Sequence, residues 1–286
     1  MEIKAYKNGF FIENNKYFDP YKTFDCGQCF RFKKTEKGII GVAFGRVITI
    51  EEEKSGCYIY GNSSLGFDVI KSFLDCENKY DEIEEFLKND EIMAPALSFG
   101  CGIRILKQEF FETLISFIIS QQNNIPRITK TVEKFSELFG DKIEYKGEIF
   151  HTFPRAEQLK DITVFDLEPL RCGYRASYII DAIEKVLSGE IDFSSLKSMD
   201  YITAKNRLLT IKGVGSKVAD CICLFSLGQF SAFPTDTWIK KAMQQLYSVP
   251  EKEILQKSQT LFGEYSGIAQ QFLFYYLRYN KKVHKS

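Results

Sequence analysis

The chain has 286 residues, 44% hydrophobic and 27% charged, a globular composition long enough for one large core or two to three sub-domains. It excludes a disordered polyelectrolyte, and no uninterrupted apolar run approaches the ~20 residues of a membrane span. Charge is balanced at 38 Lys and Arg against 38 Asp and Glu, which by itself argues weakly against a nucleic-acid partner.

Residues 1 to about 65 read as β structure. Phe30-Arg31-Phe32-Lys33 and Val47-Ile48-Thr49-Ile50 lie in short β-rich runs punctuated by Gly38, Gly41, Gly45, Gly56 and Gly61. No segment between the runs is long enough for a helical crossover, so antiparallel pairing is expected. Just before the first run, Asp25-Cys26-Gly27-Gln28-Cys29 combines a turn glycine with a Cys-x-x-Cys. A closed zinc site needs a second pair nearby; Cys57, Cys76 and Cys101 are scattered and the only histidines are His151 and His284, so no metal is expected. Phe67 to Leu74 and Tyr80 to Leu87 read as amphipathic helices. Residues 1–105 carry 14 Lys and Arg against 17 Asp and Glu, and residues 106–286 carry 24 against 21. The second part is mildly basic, so its phosphate contacts must be few and made partly by backbone.

Phe110, Leu114, Phe117 and Ile118 form a helical stripe that ends in the amide cluster Ser120-Gln121-Gln122-Asn123-Asn124. Asn124 is a candidate cap for a second helix with Pro126 in its first turn. The amide cluster suits either a solvated connection or a polar contact surface. Cys172-Gly173-Tyr174-Arg175 opens a further helix through Leu187, with an exposed Tyr-Arg pair at its start. Tyr201, Ala204, Leu208 and Leu209 recur at helical spacing until Lys212-Gly213-Val214-Gly215 breaks the pattern. From Ser216, a candidate cap, the residues Val218, Cys221, Ile222, Leu224 and Phe225 resume it.

Helix, glycine hairpin, helix is a unit whose backbone N–H groups can hold a phosphate without a basic side chain. Lys217 falls in the first turn of the second helix, where the dipole disfavours an ammonium. Its neighbours Val218 and Cys221 are apolar, and partial burial also favours the neutral amine. A lysine so placed is a candidate nucleophile. Nineteen residues further on, Phe233-Pro234-Thr235-Asp236 brings in a carboxylate, followed by Trp238, which suits the core or a surface contact equally. The last helix, Tyr265 to Tyr279, puts Gln270 and Phe274 on one face. The basic tail Lys281 to Ser286 is expected to be disordered.

The run from Gly213 to Leu224, with Asp236 after it, closely resembles the helix–hairpin–helix plus Gly/Pro-Asp motif of base-excision DNA glycosylases. Its Gly-Val-Gly-Ser-Lys-Val-Ala-Asp-Cys-Ile-Cys-Leu matches the 8-oxoguanine DNA glycosylase branch over more than ten positions at once. The resemblance extends over nearly the whole chain, more loosely toward the N-terminus. No cysteine follows Cys223, so the iron–sulfur loop usual in the endonuclease III and adenine glycosylase branches cannot be built there.

The resemblance implies roles residue by residue. Lys217 is the nucleophile and Asp236 its partner, while Gly213 and Gly215 hold DNA phosphate. Trp238 stands where the eukaryotic enzymes generally place a phosphate-touching histidine, and the carbonyls near Ile211 and Val214 offer a seat for a monovalent cation. Asp25 to Arg31 resembles the damage-reading loop, with the Gly27 carbonyl facing N7 of the base. 8-Oxoguanine carries a hydrogen on N7 where guanine has a lone pair, so a carbonyl there accepts from the lesion and repels the normal base. Cys221 and Phe274 take the two faces of the flipped purine, Gln270 reads its Watson–Crick edge and Pro234 completes its pocket. Gln122, Arg127, Tyr174 and Arg175 fill the gap in the duplex and contact the orphaned cytosine. Here the chain departs from the family, with Gln121 and Gln122 in place of a serine and the first of three asparagines.

The implied fold is α+β: an antiparallel sheet domain with helices over residues 1–105, then an all-helical glycosylase region over 106–286. That region has two helical sub-domains and its hairpin at about 200–228. The implied activity is excision of 8-oxoguanine, preferably opposite cytosine, with strand cleavage at the abasic site. The partner is double-stranded DNA, with no organic cofactor, no essential metal and no membrane. A monomer is expected, and the lack of a signal-peptide pattern at the N-terminus points to the cytoplasm or another reducing compartment. Two other readings stay open. A relative acting on oxidised pyrimidines shares Lys217 and Asp236 but needs no carbonyl at N7. A non-catalytic DNA-binding module explains Gly213 and Gly215, yet not Lys217 paired with Asp236.

Overall fold

The computed structural model describes residues 1–13, 16–63 and 66–280, so the expected disordered tail 281–286 lies outside the described residues. Strands β1 (Lys4–Tyr6), β2 (Gly9–Glu13), β3 (Phe32–Lys34), β4 (Gly38–Ala43), β5 (Arg46–Glu53) and β6 (Gly56–Gly61) form one sheet in the order β1-β2-β6-β5-β4-β3. Every pairing in it is antiparallel, as the short connections require. Ile12, Ile39, Ile48, Ile50 and Ile59 turn to one face. They pack there against Phe24 of helix α1 (Pro20–Asp25) and Ile70 and Phe73 of α2 (Phe67–Phe73). The other face holds Phe11, Tyr58 and Tyr60.

Helix α1 lies inside the stretch read as β. With six residues it is too short for a periodicity, and its signal is the pair Asp19-Pro20: the Asp19 carboxylate accepts from the Lys22 N–H at 3.0 Å. The next strand starts at Phe32 rather than Phe30, whose ring packs 5.6 Å from that of Phe117 in the helical core. Helices α3 (Tyr80–Leu87) and α4 (Met93–Gly100) follow; Gly100 sits so close to Phe272 that a Cβ would collide with its ring. Ile83, Leu87, Met93, Ala96 and Leu97 belong to the large helical core, apart from the sheet-side core. Fully buried Arg104 links the sheet-side core, which holds Leu74, to the helical core, which holds Tyr80. It donates to the carbonyls of Leu74 and Asp75 and lies 4.0 Å over the Tyr80 ring.

Helix α5 (Phe110–Ile119) is almost entirely buried, and α6 (Ile125–Phe139) starts on the expected cap: the Asn124 side chain accepts from the Arg127 N–H at 3.0 Å. A hairpin of β7 (Lys142–Tyr145) and β8 (Glu148–His151) interrupts the helices and folds back on the sheet's outer face, where Lys146 donates to the Tyr60 hydroxyl at 2.8 Å. The chain continues as α7 (Arg175–Leu187), α8 (Phe193–Ser198), α9 (Tyr201–Leu208) and α10 (Ser216–Phe225). It ends with α11 (Thr237–Tyr247), α12 (Ile254–Phe262) and α13 (Ser266–Tyr279). Among the described residues no helix is long and apolar enough to cross a membrane, and no group of three His, Cys, Asp or Glu could hold a metal.

One buried charge cluster makes the fold sensitive to pH. Arg31 faces Glu112 and Glu133 at 3.6 Å each and donates to the His151 carbonyl. Burial outweighs the attraction of Arg31 and lifts the Glu112 carboxyl to about 7, with Glu109 and Glu133 raised for the same reason. A carboxyl whose pKa is raised on folding stabilises the fold in its protonated form. That contribution is complete below the ordinary carboxylate pKa and is lost as pH rises through the folded value. Thermal melting is thus expected to drop between about pH 5 and about pH 8, and Glu112→Gln to flatten that slope. An unchanged slope in the variant would remove Glu112 as its source.

Candidate active site

The hairpin between α9 and α10 is built from local rules and then pinned from outside. Asp200 caps α9, accepting from the N–H groups of Ile202 and Thr203 at 3.0 and 3.1 Å. Gly213 has φ of +77°, and a Cβ there would run into the Tyr178 ring of α7, so conformation and space both demand glycine. From the same helix, the Asp181 carboxylate accepts the Lys212 N–H at 2.7 Å. The Ile211 carbonyl accepts from the Val214 N–H at 3.0 Å. The cap of α10 is Gly215 rather than Ser216, which is the first helical residue. A Cβ on Gly215 would meet nothing within 4 Å, so this end of α10 is open to an approaching group.

Beneath the hairpin, the buried Asp220 carboxylate accepts from the Tyr201 hydroxyl at 2.7 Å and pairs with Lys205 at 2.8 Å. The Ser216 hydroxyl reaches it at 3.5 Å. These bonds fix how α10 is rotated against α9. Half-buried Lys217 then points into a cavity of about 580 Å³. Its Nζ lies 4.9 Å from the Phe117 ring centre and 3.4 Å from the Ser120 hydroxyl, both uncharged.

Asp236 lines the same cavity from the start of α11. It caps that helix, accepting from the Ile239 N–H at 2.9 Å. Burial raises its carboxyl above the usual range, opposed by the N–H of Ile239 and by the nearby charges of Lys217 and Arg278. Capping a helix and facing the lysine are thus two uses of one side chain.

Gly27, Cys221, Pro234, Gln270 and Phe274 also line this cavity, so the structure brings together the residues expected at the damaged base and both catalytic candidates. Gly27 has φ of +79°, and a Cβ there would stand 3.0 Å from Ile125 and 3.3 Å from the Phe274 ring. Gln270 lines the cavity and is 4% exposed, and its buried Oε1 has no hydrogen-bond partner among the described residues. Burial pushes the Cys221 thiol up to about 12, which keeps it neutral.

The four wedge candidates separate. Gln122 is exposed with φ of +47°, and its Oε1 accepts from the Tyr174 hydroxyl at 3.3 Å. Tyr174 is exposed, but Arg175 is buried, contrary to the exposed pair expected from sequence. Its guanidinium donates to the carbonyls of Gln121, Gln122 and Cys172, filling acceptors left open where the chain turns after α5. Arg127 is exposed and donates to the Arg171 carbonyl at 3.3 Å. Trp238 is 41% exposed at the cavity rim, so it is not a core residue. Ser120, Gln271 and Arg278 line the cavity and were not singled out by sequence. Ser120 stood within the quoted amide cluster, whereas nothing local marks the other two.

Residues 11–114 match the N-terminal domain of 8-oxoguanine DNA glycosylase, and residues 115–264 match the HhH-GPD superfamily base excision DNA repair proteins. The chain is 32% identical over 275 residues to the N-glycosylase/DNA lyase OGG1 of Arabidopsis thaliana, covering 88% of this chain and 75% of that protein. It is 30% identical over 232 residues to a probable N-glycosylase/DNA lyase of Methanothermobacter thermautotrophicus, covering 73% and 74%. Among solved structures, it is similar to the Clostridium acetobutylicum 8-oxoguanine glycosylase/lyase in complex with double-stranded DNA containing cytosine opposite to 8-oxoG. That likeness has a TM-score of 0.92 at 40% identity over 98% of each chain. The apo form of the same enzyme matches at 0.90 and 40% identity over 96% of this chain and 98% of that one. The chain therefore belongs to the 8-oxoguanine DNA glycosylase family of the helix–hairpin–helix Gly/Pro-Asp superfamily, as a DNA N-glycosylase with abasic-site lyase activity.

Proposed function

We propose that this enzyme excises 8-oxoguanine from duplex DNA, in preference opposite cytosine, by flipping the base into the cavity and attacking its sugar with Lys217. The observation that carries the reading is a single cavity lined by the lysine and aspartate together with Gly27, Cys221, Gln270 and Phe274. C1′ cannot meet a side chain while the base is stacked, so the nucleotide must leave the helix first. The N7 hydrogen of the lesion donates to the Gly27 carbonyl, and the open Gln270 Oε1 accepts from the Watson–Crick edge. Neutral Lys217 forms a bond to C1′ as the C1′–N9 bond breaks, and the base departs with a proton. Asp236 orients the amine and stabilises the positive charge that develops on the sugar. Ring opening gives a Schiff base; loss of a C2′ proton then expels the 3′ phosphate by β-elimination. The cytosine-containing complex of the Clostridium acetobutylicum relative supports this substrate.

Borohydride trapping on duplexes that each carry one lesion tests chemistry and substrate together. The covalent complex is expected on 8-oxoguanine; trapping on oxidised pyrimidines instead would favour the other glycosylase reading.

Opposite-base preference is expected to depend more on Arg127 than on Gln122. Arg127 is exposed and its guanidinium suits the acceptors of an unpaired cytosine, whereas the Gln122 amide is one methylene longer than the family's asparagine. Single-turnover excision opposite all four bases should be fastest opposite cytosine. Arg127→Ala should narrow the gap to adenine by ~1–3 kcal/mol, and Gln122→Ala by less. Equal parent rates opposite cytosine and adenine would refute the preference.

A further inference from the structure

The loop that carries Gly27 is held by its carbonyls, one after another. The Tyr279 hydroxyl donates to the Asp25 carbonyl at 2.9 Å, Gln271 Nε2 donates to the Cys26 carbonyl at 2.7 Å, and Gln108 Nε2 donates to the Gln28 carbonyl at 2.7 Å. The buried Gln28 side chain anchors the loop from within, donating to the carbonyls of Thr23 and Arg104 and accepting from the Leu106 N–H. Among the described residues no donor meets the Gly27 carbonyl, the one acceptor of the four left open. Gln271 is 2% exposed and next in sequence to Gln270, so α13 carries the base-facing amide and the loop-holding amide side by side.

A turn of the Gly27–Gln28 peptide plane rotates ψ of Gly27, which glycine tolerates in either sense, together with φ of the buried Gln28. A turned plane would present the Gln28 N–H where the carbonyl had been. An N–H there matches the bare N7 lone pair of guanine and repels the N7 hydrogen of the lesion, so selectivity would invert. The Gln28 side chain, hydrogen-bonded to Thr23, Arg104 and Leu106, resists the change in its own φ that such a turn requires, and the bonds from Gln271 and Gln108 fix where the flanking planes, and with them the Gly27 carbonyl, stand.

We infer that Gln271, assisted by Tyr279, is a positioning residue that sets 8-oxoguanine-over-guanine selectivity by holding the Gly27 carbonyl toward the base. The inference rests on the reading of Gly27 proposed above. Neither side chain needs to touch the substrate; both act through the loop backbone.

The test compares dissociation constants for duplexes carrying one 8-oxoguanine or one guanine opposite cytosine, in a Lys217→Gln background that prevents turnover. Gln271→Met keeps the length and loses the donor; Tyr279→Phe loses one hydroxyl. The lesion-to-guanine affinity ratio is expected to fall about tenfold in Gln271→Met, and further in the double variant. A merely structural role would weaken both complexes together and leave the ratio alone. An unchanged ratio in the double variant overturns the inference. If Gln271→Met does not fold, Tyr279→Phe alone decides: about a threefold fall supports the inference and no change overturns it. A parent that does not discriminate overturns the Gly27 reading itself, and the inference with it.

Discussion

Lys217→Gln is expected to abolish base release and the borohydride-trapped complex, with a loss of roughly a thousandfold or more in single-turnover rate. The amide has no nucleophilic lone pair at the position of Nζ, and among the described residues the cavity's other lysine is Lys240, which pairs with Glu251 at the rim. Binding of a lesion duplex should remain largely intact. Lys217 touches the Ser120 hydroxyl, the Phe117 ring face and the Cys221 thiol, all uncharged, and glutamine of similar reach can take these contacts without burying a new charge. The open backbone at Gly215 is untouched. Near-normal strand nicking by the purified variant would sink the Schiff-base mechanism.

How far such a site can be read from sequence depends on how local its causes are. The α9–hairpin–α10 unit was legible because a left-handed glycine, a cap and an apolar stripe act within a few residues. The shift of the cap from Ser216 to Gly215 shows the limit of that reading: the serine hydroxyl is drawn toward Asp220 instead. Helix α4 escaped notice because Pro95 and the small residues Ala94, Ala96, Ser98 and Gly100 give it no stripe, and its place is decided by Phe272 far along the chain. The β7–β8 hairpin turns on Lys146 and Gly147, both at positive φ as a tight two-residue turn requires, but lysine at the first position is not the Asn, Asp or Gly that marks such a turn in sequence.

Within the site, the lining residues found in advance were those fixed by family resemblance, and geometry then brought them to one cavity. Arg175 was misjudged as exposed because its acceptors, the carbonyls of Gln121 and Gln122, lie more than fifty residues upstream. Gln271 could not be seen at all. Its acceptor on Cys26 is 245 residues away, and an amide in an aromatic helix gives no periodic or compositional hint of that partner.

Asp236→Asn is expected to lower turnover by more than ~100-fold while changing stability little. Asparagine caps helices about as well as aspartate, so the bond to the Ile239 N–H and the start of α11 should survive. What disappears is the charge facing Lys217 and the developing positive charge on the sugar. The pH profile separates these uses. Burial raises the Asp236 carboxyl above the ordinary carboxylate range, and the ionised form is the one that serves catalysis. Single-turnover rates of the parent should therefore climb with rising pH through that elevated value, and this acidic limb should be missing from the variant. Binding to an abasic-site analogue and the melting temperature complete the comparison. If turnover, binding and melting all fell together and the acidic limb persisted, Asp236 would be a helix cap and nothing more.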